Sequence, residues 1–251
     1  MTTKIGIIIQ GRLASTRLKN KILLPFYGNK TLIEILIERL KCNKNNVPVI
    51  LATTTNKYDD TLVEAVEGKI PIFRGKEHNV LDRFIGTMKS MKLTHAIRVC
   101  SDNPFLSLKY VDELISMCTL NCDYIGYTID GSLPSIRSHI GYFAECVSLK
   151  SLVNTVKYTN SSFDHEHVTY YIHSNPDKFN NRLLPYRAND ERLRTLRLTL
   201  DTSDDFLVLS SIYSILIKNK KSLTLSNILK VLKDKPLYSV VMKRMIDKFK
   251  K

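Results

Sequence analysis

Between residues 11 and 21 the chain places Gly11, Arg12, Ser15, Arg17 and Lys21 directly behind an apolar run, Ile5 to Ile9. A guanidinium can grip phosphate oxygens with two N–H donors at once, an ammonium is a movable point charge, and a hydroxyl adds a further donor. A loop of this make-up is suited to neutralising a polyphosphate. Neither G-x-x-x-x-G-K-[ST] nor G-x-G-x-x-G is present, which excludes the P-loop and the dinucleotide fingerprint. Taken alone, the segment is either a phosphate loop or a solvated basic turn. Two aspartates, Asp102 and Asp201, each follow a short apolar stretch. Carboxylate oxygens suit a hard cation such as Mg²⁺, which retains several waters and needs few protein ligands. An aspartate after a strand is also a frequent helix N-cap. At the second position Ser203 can serve as cap instead, leaving the Asp201 carboxylate available.

These residues need a scaffold that brings them to one place. The β-branched run 5–9 reads as a buried strand ending at a polar turn. Leu32, Ile35, Leu36 and Leu40 fall on one face of a helix over 31–40. The pattern continues as strand 49–53, helix 59–66, strand 70–73, helix 80–91, strand 95–100 and helix 108–118. This βαβα alternation predicts an α/β fold with a doubly wound, mostly parallel sheet. Such sheets hold ligands in loops at the carboxyl ends of their strands, where the Arg12 loop, Asp102 and Asp201 would meet. After Asp123 the rhythm breaks into turn-rich sequence, and residues 124–192 are expected to form a small α+β subdomain closing over the sheet. A strand at 197–200 and a helix at 203–217 follow. Residues 223–251 read as two amphipathic helices, an extension of a single domain spanning 1–251. They either pack against the domain or present a basic face to a membrane surface.

The chain has 251 residues, 43% hydrophobic and 25% charged, which is ordinary for a globular protein with a well-buried core. Its net charge of +14 raises the question of nucleic acid. The lysines are scattered, however, and no aromatic-interleaved basic stripe appears, so no nucleic-acid partner is expected. No signal-peptide pattern is visible at the amino terminus and no apolar stretch is long enough for a membrane span. Cys42, Cys100, Cys118, Cys122 and Cys146 contain no C-x-x-C pair. Free thiols in a reducing cytoplasm are expected.

The loop G-R-L-A-S-T-R-L-x-x-K resembles the signature A-R-x-x-S-x-R-L-P-x-K of the CMP-sugar cytidylyltransferases, which include the CMP-KDO and acylneuraminate enzymes. The branch most similar is that of spore coat polysaccharide biosynthesis protein F. Its pattern continues through L-A-T-T-T-N-K-Y-D-D (51–60), I-F-R-G-K-E-H-N-V-L-D-R-F (72–84) and I-R-V-C-S-D-N-P-F-L (97–106). H-E-H-V-T (165–169) and R-L-T-L-D-T-S-D-D (197–205) complete it. The resemblance covers residues 4 to about 217. It implies a Rossmann-like, GT-A-like three-layer sandwich that transfers CMP from CTP to an acidic sugar, with Mg²⁺ as cofactor, as a cytoplasmic homodimer serving polysaccharide synthesis. A related nucleotidyl- or glycosyltransferase using another nucleotide, or a phosphate or phosphonate acceptor, is the alternative on the same scaffold.

Carried over by position, Arg12, Lys21 and Asp102 would be catalytic, and Asp102 and Asp201 would hold the metal. Gly11, Arg12, Ser15, Arg17, Lys21, Arg74, Gly75, Asn79 and Ser101 would face the nucleotide. Arg74 and Gly75 read equally well as a turn before a helix capped by Asn79, and Asp82 and Arg83 as a helix-surface pair. Glu145, in a G-x-x-x-E element with Gly141, together with Glu166 and His167 would serve the acceptor, within the 124–192 region that in relatives carries the sugar pocket and dimer contacts. The pattern departs in two places: Lys19 and Asn20 stand for Pro and Gly, and His165 for Arg. The first change predicts a less rigid loop. His165 and His167 point to different helix faces, which argues against a metal there.

Overall fold

A computed structural model describes residues 2–119, 121–186 and 191–249. Its centre is a seven-stranded sheet built from β1 (Ile5–Gln10), β4 (Val49–Thr54), β5 (Ile72–Gly75), β6 (His95–Cys100), β7 (Tyr124–Thr128), β8 (Glu145–Ser148) and β9 (Asn181–Pro185), in the order β5-β4-β1-β6-β8-β7-β9. A two-stranded ribbon of β2 (Pro25–Tyr27) and β3 (Lys30–Thr31) lies outside it. The strands run parallel except β8, which is antiparallel to both β6 and β7. β1 sits between β4 and β6, with Ile9 opposite Leu51 and Val99. It is buried on both faces, which is why its text is an unbroken apolar run rather than an alternation.

Alternate residues along β1 feed two cores. Ile7 and Ile9 join one with α1 (Leu32–Lys41), α2 (Asp60–Val66), α4 (Leu108–Met117), α8 (Ser203–Lys218) and α9 (Leu225–Asp234). Ile8 joins the other with α3 (Val80–Ser90), α5 (Leu149–Tyr158) and α7 (Tyr170–Ser174). The result is the three-layer, mostly parallel α/β architecture the sequence predicts. Local chemistry sets the helix starts. Thr31 and Glu34 form a reciprocal capping box at α1, and Thr202 and Asp205 form one at α8.

Several expectations are revised. The stretch 124–192 does not form a sheet of its own: β7, β8 and β9 complete the central one, and α6 (Ser162–Glu166) packs beside α3. Strand 197–200 is absent. The segment is extended, but Leu198 N–H donates to the His139 carbonyl and Leu200 N–H to that of Asp102, two separate loops rather than one neighbouring strand. The N-cap beyond Asp201 is Thr202, not Ser203. Cys118 and Cys146 are joined as a disulfide between the end of α4 and β8, against the expected free thiols; their separation of 28 residues matches no spacing motif. The last helices, α9 and α10 (Pro236–Lys248), pack on α8, with Met242 and Met245 buried. No helix among the described residues is long and apolar enough to cross a membrane.

Candidate active site

The loop after β1 is anchored at both ends. Leu13 N–H donates to Oδ1 of buried Asp59 at 2.7 Å, while Thr54 donates to the other oxygen of that carboxylate. At the far end the chain reverses at Asn20, which takes the left-handed φ of 54°. Asparagine tolerates this region better than most residues, so the chain turns here without a glycine. Gly11 lies where the loop leaves β1, close to its neighbours. A Cβ there would sit 3.4 Å from Ser101 Oγ, Ile22 and Leu51, an ordinary contact distance.

Lys21, at the loop's end, is the pivot. Its ammonium donates to Asp102 Oδ2 at 2.8 Å, Asp201 Oδ1 at 2.9 Å and the Leu200 carbonyl at 2.7 Å. Burial pulls its pKa down, but the two carboxylates outweigh this and hold it above its ordinary value. Arg17 reaches the same Asp201 oxygen at 2.9 Å, and Arg197 donates to Asp201 Oδ2 at 3.2 Å. Burial pushes the Asp201 carboxyl up; Lys21, Arg17 and Arg197 together bring it below the ordinary carboxylate range. Arg197, fully buried, is itself fixed by Asp205 at 2.7 and 2.9 Å and by His139 at 2.7 Å.

Gly141 allows the extended segment bearing Asp201 to lie against this cluster. It has φ +51°, and a Cβ on it would meet the backbone of Leu198 at 2.8 Å. The structure thus brings Arg17, Lys21, Asp102 and Asp201 to one point from two loops and the 196–201 segment.

Beside that point opens a cavity of about 600 Å³ lined by Arg17, Asp102, Asp201, Arg98, Arg137 and His167, among others. Glu145 lies beneath the cavity. It is 1% exposed, and its oxygens accept from Arg98, from Thr169 at 2.8 Å and from Tyr124 at 2.7 Å. It braces Arg98, which lines the cavity. His167 does line the cavity, whereas Glu166 is exposed and pairs with Arg12 at 3.6 Å, linking α6 to the loop. Ser15 accepts a long bond from Leu18 N–H at 3.4 Å. Arg74 donates to the carbonyls of Thr54 and Asn56 and to Asp60, so its guanidinium braces a turn. Gly75 lies against Arg83, whose side chain a Cβ at that position would meet at 3.1 Å, and Asn79 caps α3 while meeting His165 at 3.2 Å.

Arg83 is no helix-surface residue. It is 1% exposed, and its Nε and Nη2 have no hydrogen-bond partner among the described residues. Burial, followed by repulsion from Arg12, lowers its pKa to about 10. Sequence reasoning also passed over Arg98, Arg137, Arg197 and Phe249. The only signal for Arg98 and Arg197 was a charge placed inside an otherwise apolar run.

With this geometry in view, comparison with known proteins decides the class. The sequence matches the cytidylyltransferase family over residues 6–242. The chain belongs to that family. An uncharacterized protein of Methanocaldococcus jannaschii is 36% identical over 207 residues, 81% of this chain and 80% of its own. The spore coat polysaccharide biosynthesis protein SpsF of Bacillus subtilis is 31% identical over 218 residues, 83% of this chain and 86% of its own. A solved cytidylyltransferase from Leptospira borgpetersenii superposes with a TM-score of 0.82 at 26% identity, covering 94% of this chain and 97% of that one. In a cytidylyltransferase, the convergence of basic loop and paired aspartates lies where the sheet places its ligands, at the carboxyl ends of β1 and β6.

Proposed function

We propose that this enzyme transfers CMP from CTP to an acidic sugar for surface polysaccharide synthesis. The acceptor oxygen would bond to the α-phosphorus, the bond to the bridging oxygen would break, and pyrophosphate would leave. The observation that carries this reading is the meeting of Lys21 and Arg17 with Asp102 and Asp201 beside a basic cavity. Cations aimed at a departing pyrophosphate stabilise charge as it develops. Arg12, Lys21 and Ser15 would hold the triphosphate, and Arg17 would orient the loop or join them. Arg98, Arg137 and His167 line a cavity whose charge suits an anionic acceptor.

The donor set fits a magnesium ion. Asp102 and Asp201 offer hard carboxylate oxygens, both already beside one positive charge, and Asp102 retains 24% side-chain exposure. A divalent ion held there would supply charge stabilisation to the phosphate oxygens. The chain's own residues do the positioning. Arg197 and Asp205 fix the Asp201 carboxylate from below, and Gly141 fixes the segment that carries it. A homodimer using part of the 124–192 region is the assembly expected of such an enzyme.

The test is pyrophosphate release from each of the four nucleoside triphosphates with Mg²⁺ and a panel of acidic sugars, beside Asp102→Ala. CTP-selective, acceptor-dependent release that vanishes in the variant supports the reading. Failure of the wild type to bind any nucleotide overturns it.

A further inference from the structure

The end of α10 reaches the charged cluster. Phe249, the residue closing that helix, has its ring under two guanidinium groups: Arg17 lies 5.2 Å and Arg197 5.7 Å from the ring centroid. Both arginines hold Asp201. Phe249 also lines the cavity beside Asp102 and Asp201. The helix is tied down just below: Arg244 pairs with Asp204 at 2.7 Å, and Thr202 donates to the Met245 sulfur at 3.6 Å. These anchors fall on the first turn of α8 and on its cap, directly after Asp201. The family match stops at residue 242, so Phe249 lies outside the part of the chain that the family describes.

We propose that Phe249 is a positioning residue of the nucleotide site, whose ring holds the Arg17 guanidinium at the cavity mouth. The proposal rests on reading the Arg12–Lys21 loop as the triphosphate site. An aromatic face attracts a guanidinium through its quadrupole, and the attraction grows where water is excluded. Arg197 is already locked by Asp205 and His139, whereas Arg17 is 44% exposed and, among the described residues, pairs with the Asp201 carboxylate. The ring therefore matters most for Arg17. Without it, a long side chain on the loop regains its rotamer freedom, and that entropy must be lost again on binding. The expected consequence is weaker nucleotide capture with little change in the bond-breaking step.

The experiment compares Phe249→Leu, which keeps apolar bulk without the aromatic face, with Phe249→Tyr, which keeps both. Calorimetry with CTP and Mg²⁺, and pyrophosphate release, are measured for each. Phe249→Leu is expected to weaken CTP binding about fivefold and to raise the KM for CTP more than it lowers kcat. Phe249→Tyr is expected to restore wild-type binding. Equal binding by the Leu variant and the wild type, or weakening of both variants alike, overturns the proposal. A second readout is independent of nucleotide. The ring current displaces the Arg17 Nε–H resonance upfield, assigned by its loss in Arg17→Lys, and Phe249→Leu is expected to abolish that displacement. An unmoved resonance overturns the ring contact itself. A wild type that shows the displacement but binds no nucleotide overturns both the phosphate-loop reading and the role assigned here, while leaving the contact established.

Discussion

The ammonium of Lys21 stands 2.9 Å from Oδ1 of Asp201 and, at the same time, 2.8 Å from Oδ2 of Asp102. One positive charge from the loop after β1 thus sits between two carboxylates brought from different segments. Lys21 bridges Asp102 and Asp201, with Arg17 and Arg197 also on Asp201, and it would compete with any divalent ion for the same oxygens. Lys21→Met is therefore expected to do two separable things. Removing one partner of a buried ion pair costs about 3 kcal/mol, partly offset by Arg17 and Arg197. Thermal unfolding in EDTA should show this loss, and millimolar Mn²⁺ should recover more stability in the variant than in the wild type. Pyrophosphate release with the divalent ion present should fall at least about a hundredfold. Equal stabilisation of both proteins by Mn²⁺ would contradict the competition.

The same cluster sets an acid limit. Asp201 titrates below its ordinary value of 3.8 in the folded chain, because its three cations outweigh its burial. The unfolded chain therefore takes up this proton first as pH falls. The stability from Asp201 is complete above about pH 4 and is lost as pH drops through the folded value. Urea unfolding of the wild type between pH 7 and 3 should steepen in its decline below pH 4. Asp201→Asn should start less stable and decline less steeply in that window. Parallel curves would assign the acid sensitivity to other carboxylates.

Much of this was legible in the sequence. The strands at β1 and β4 announced themselves because parallel strands covered on both faces read as apolar text, and β6 did so in spite of Arg98. The basic loop and Asp102 lie directly behind β1 and β6, as residue type and position suggest, whereas Asp201 follows an extended segment that joins no sheet. What the sequence withheld were partnerships between distant residues. Nothing local marks Glu145 as the buried brace of Arg98, 47 residues away. Nor does any spacing pair Cys118 with Cys146. Residues 197–200 carry strand-like alternation, yet their hydrogen bonds go to His139 and Asp102, so no ladder forms. Phe249 lies far in sequence from the arginines it touches, and an aromatic residue in a basic amphipathic helix looks like ordinary packing.

Gly141 tests whether the position of Asp201 depends on that extended segment. Its φ of +51° disfavours any side chain, and a Cβ would sit 2.8 Å from the backbone of Leu198. Gly141→Ala should cost about 1–3 kcal/mol through strain at that φ. Because the clash pushes on the segment carrying Asp201, activity should fall further than the folded fraction does. The check is kcat at 15 °C, where the variant remains folded by circular dichroism. Full activity per folded molecule would show that the segment yields without moving the carboxylate.

Glu145 separates a structural carboxylate from an acceptor-binding one. It is 1% exposed and satisfied by Arg98, Thr169 and Tyr124, and burial together with Glu145 drives the Tyr124 hydroxyl pKa well above its ordinary value. Glu145→Gln keeps the shape but leaves Arg98 as a buried charge without its counter-ion, for which about 3–5 kcal/mol is expected. Arg98→Met in the same chain removes the stranded charge and should recover much of that loss, since an apolar pair of similar volume often replaces a buried ion pair at small cost. Acceptor KM distinguishes the roles. If Glu145 acts only through Arg98, the Glu145→Gln and Arg98→Met single variants and the double variant should share one raised KM, because all three remove the same placed guanidinium. A direct acceptor contact would instead make the effects of the two single variants multiply in the double variant.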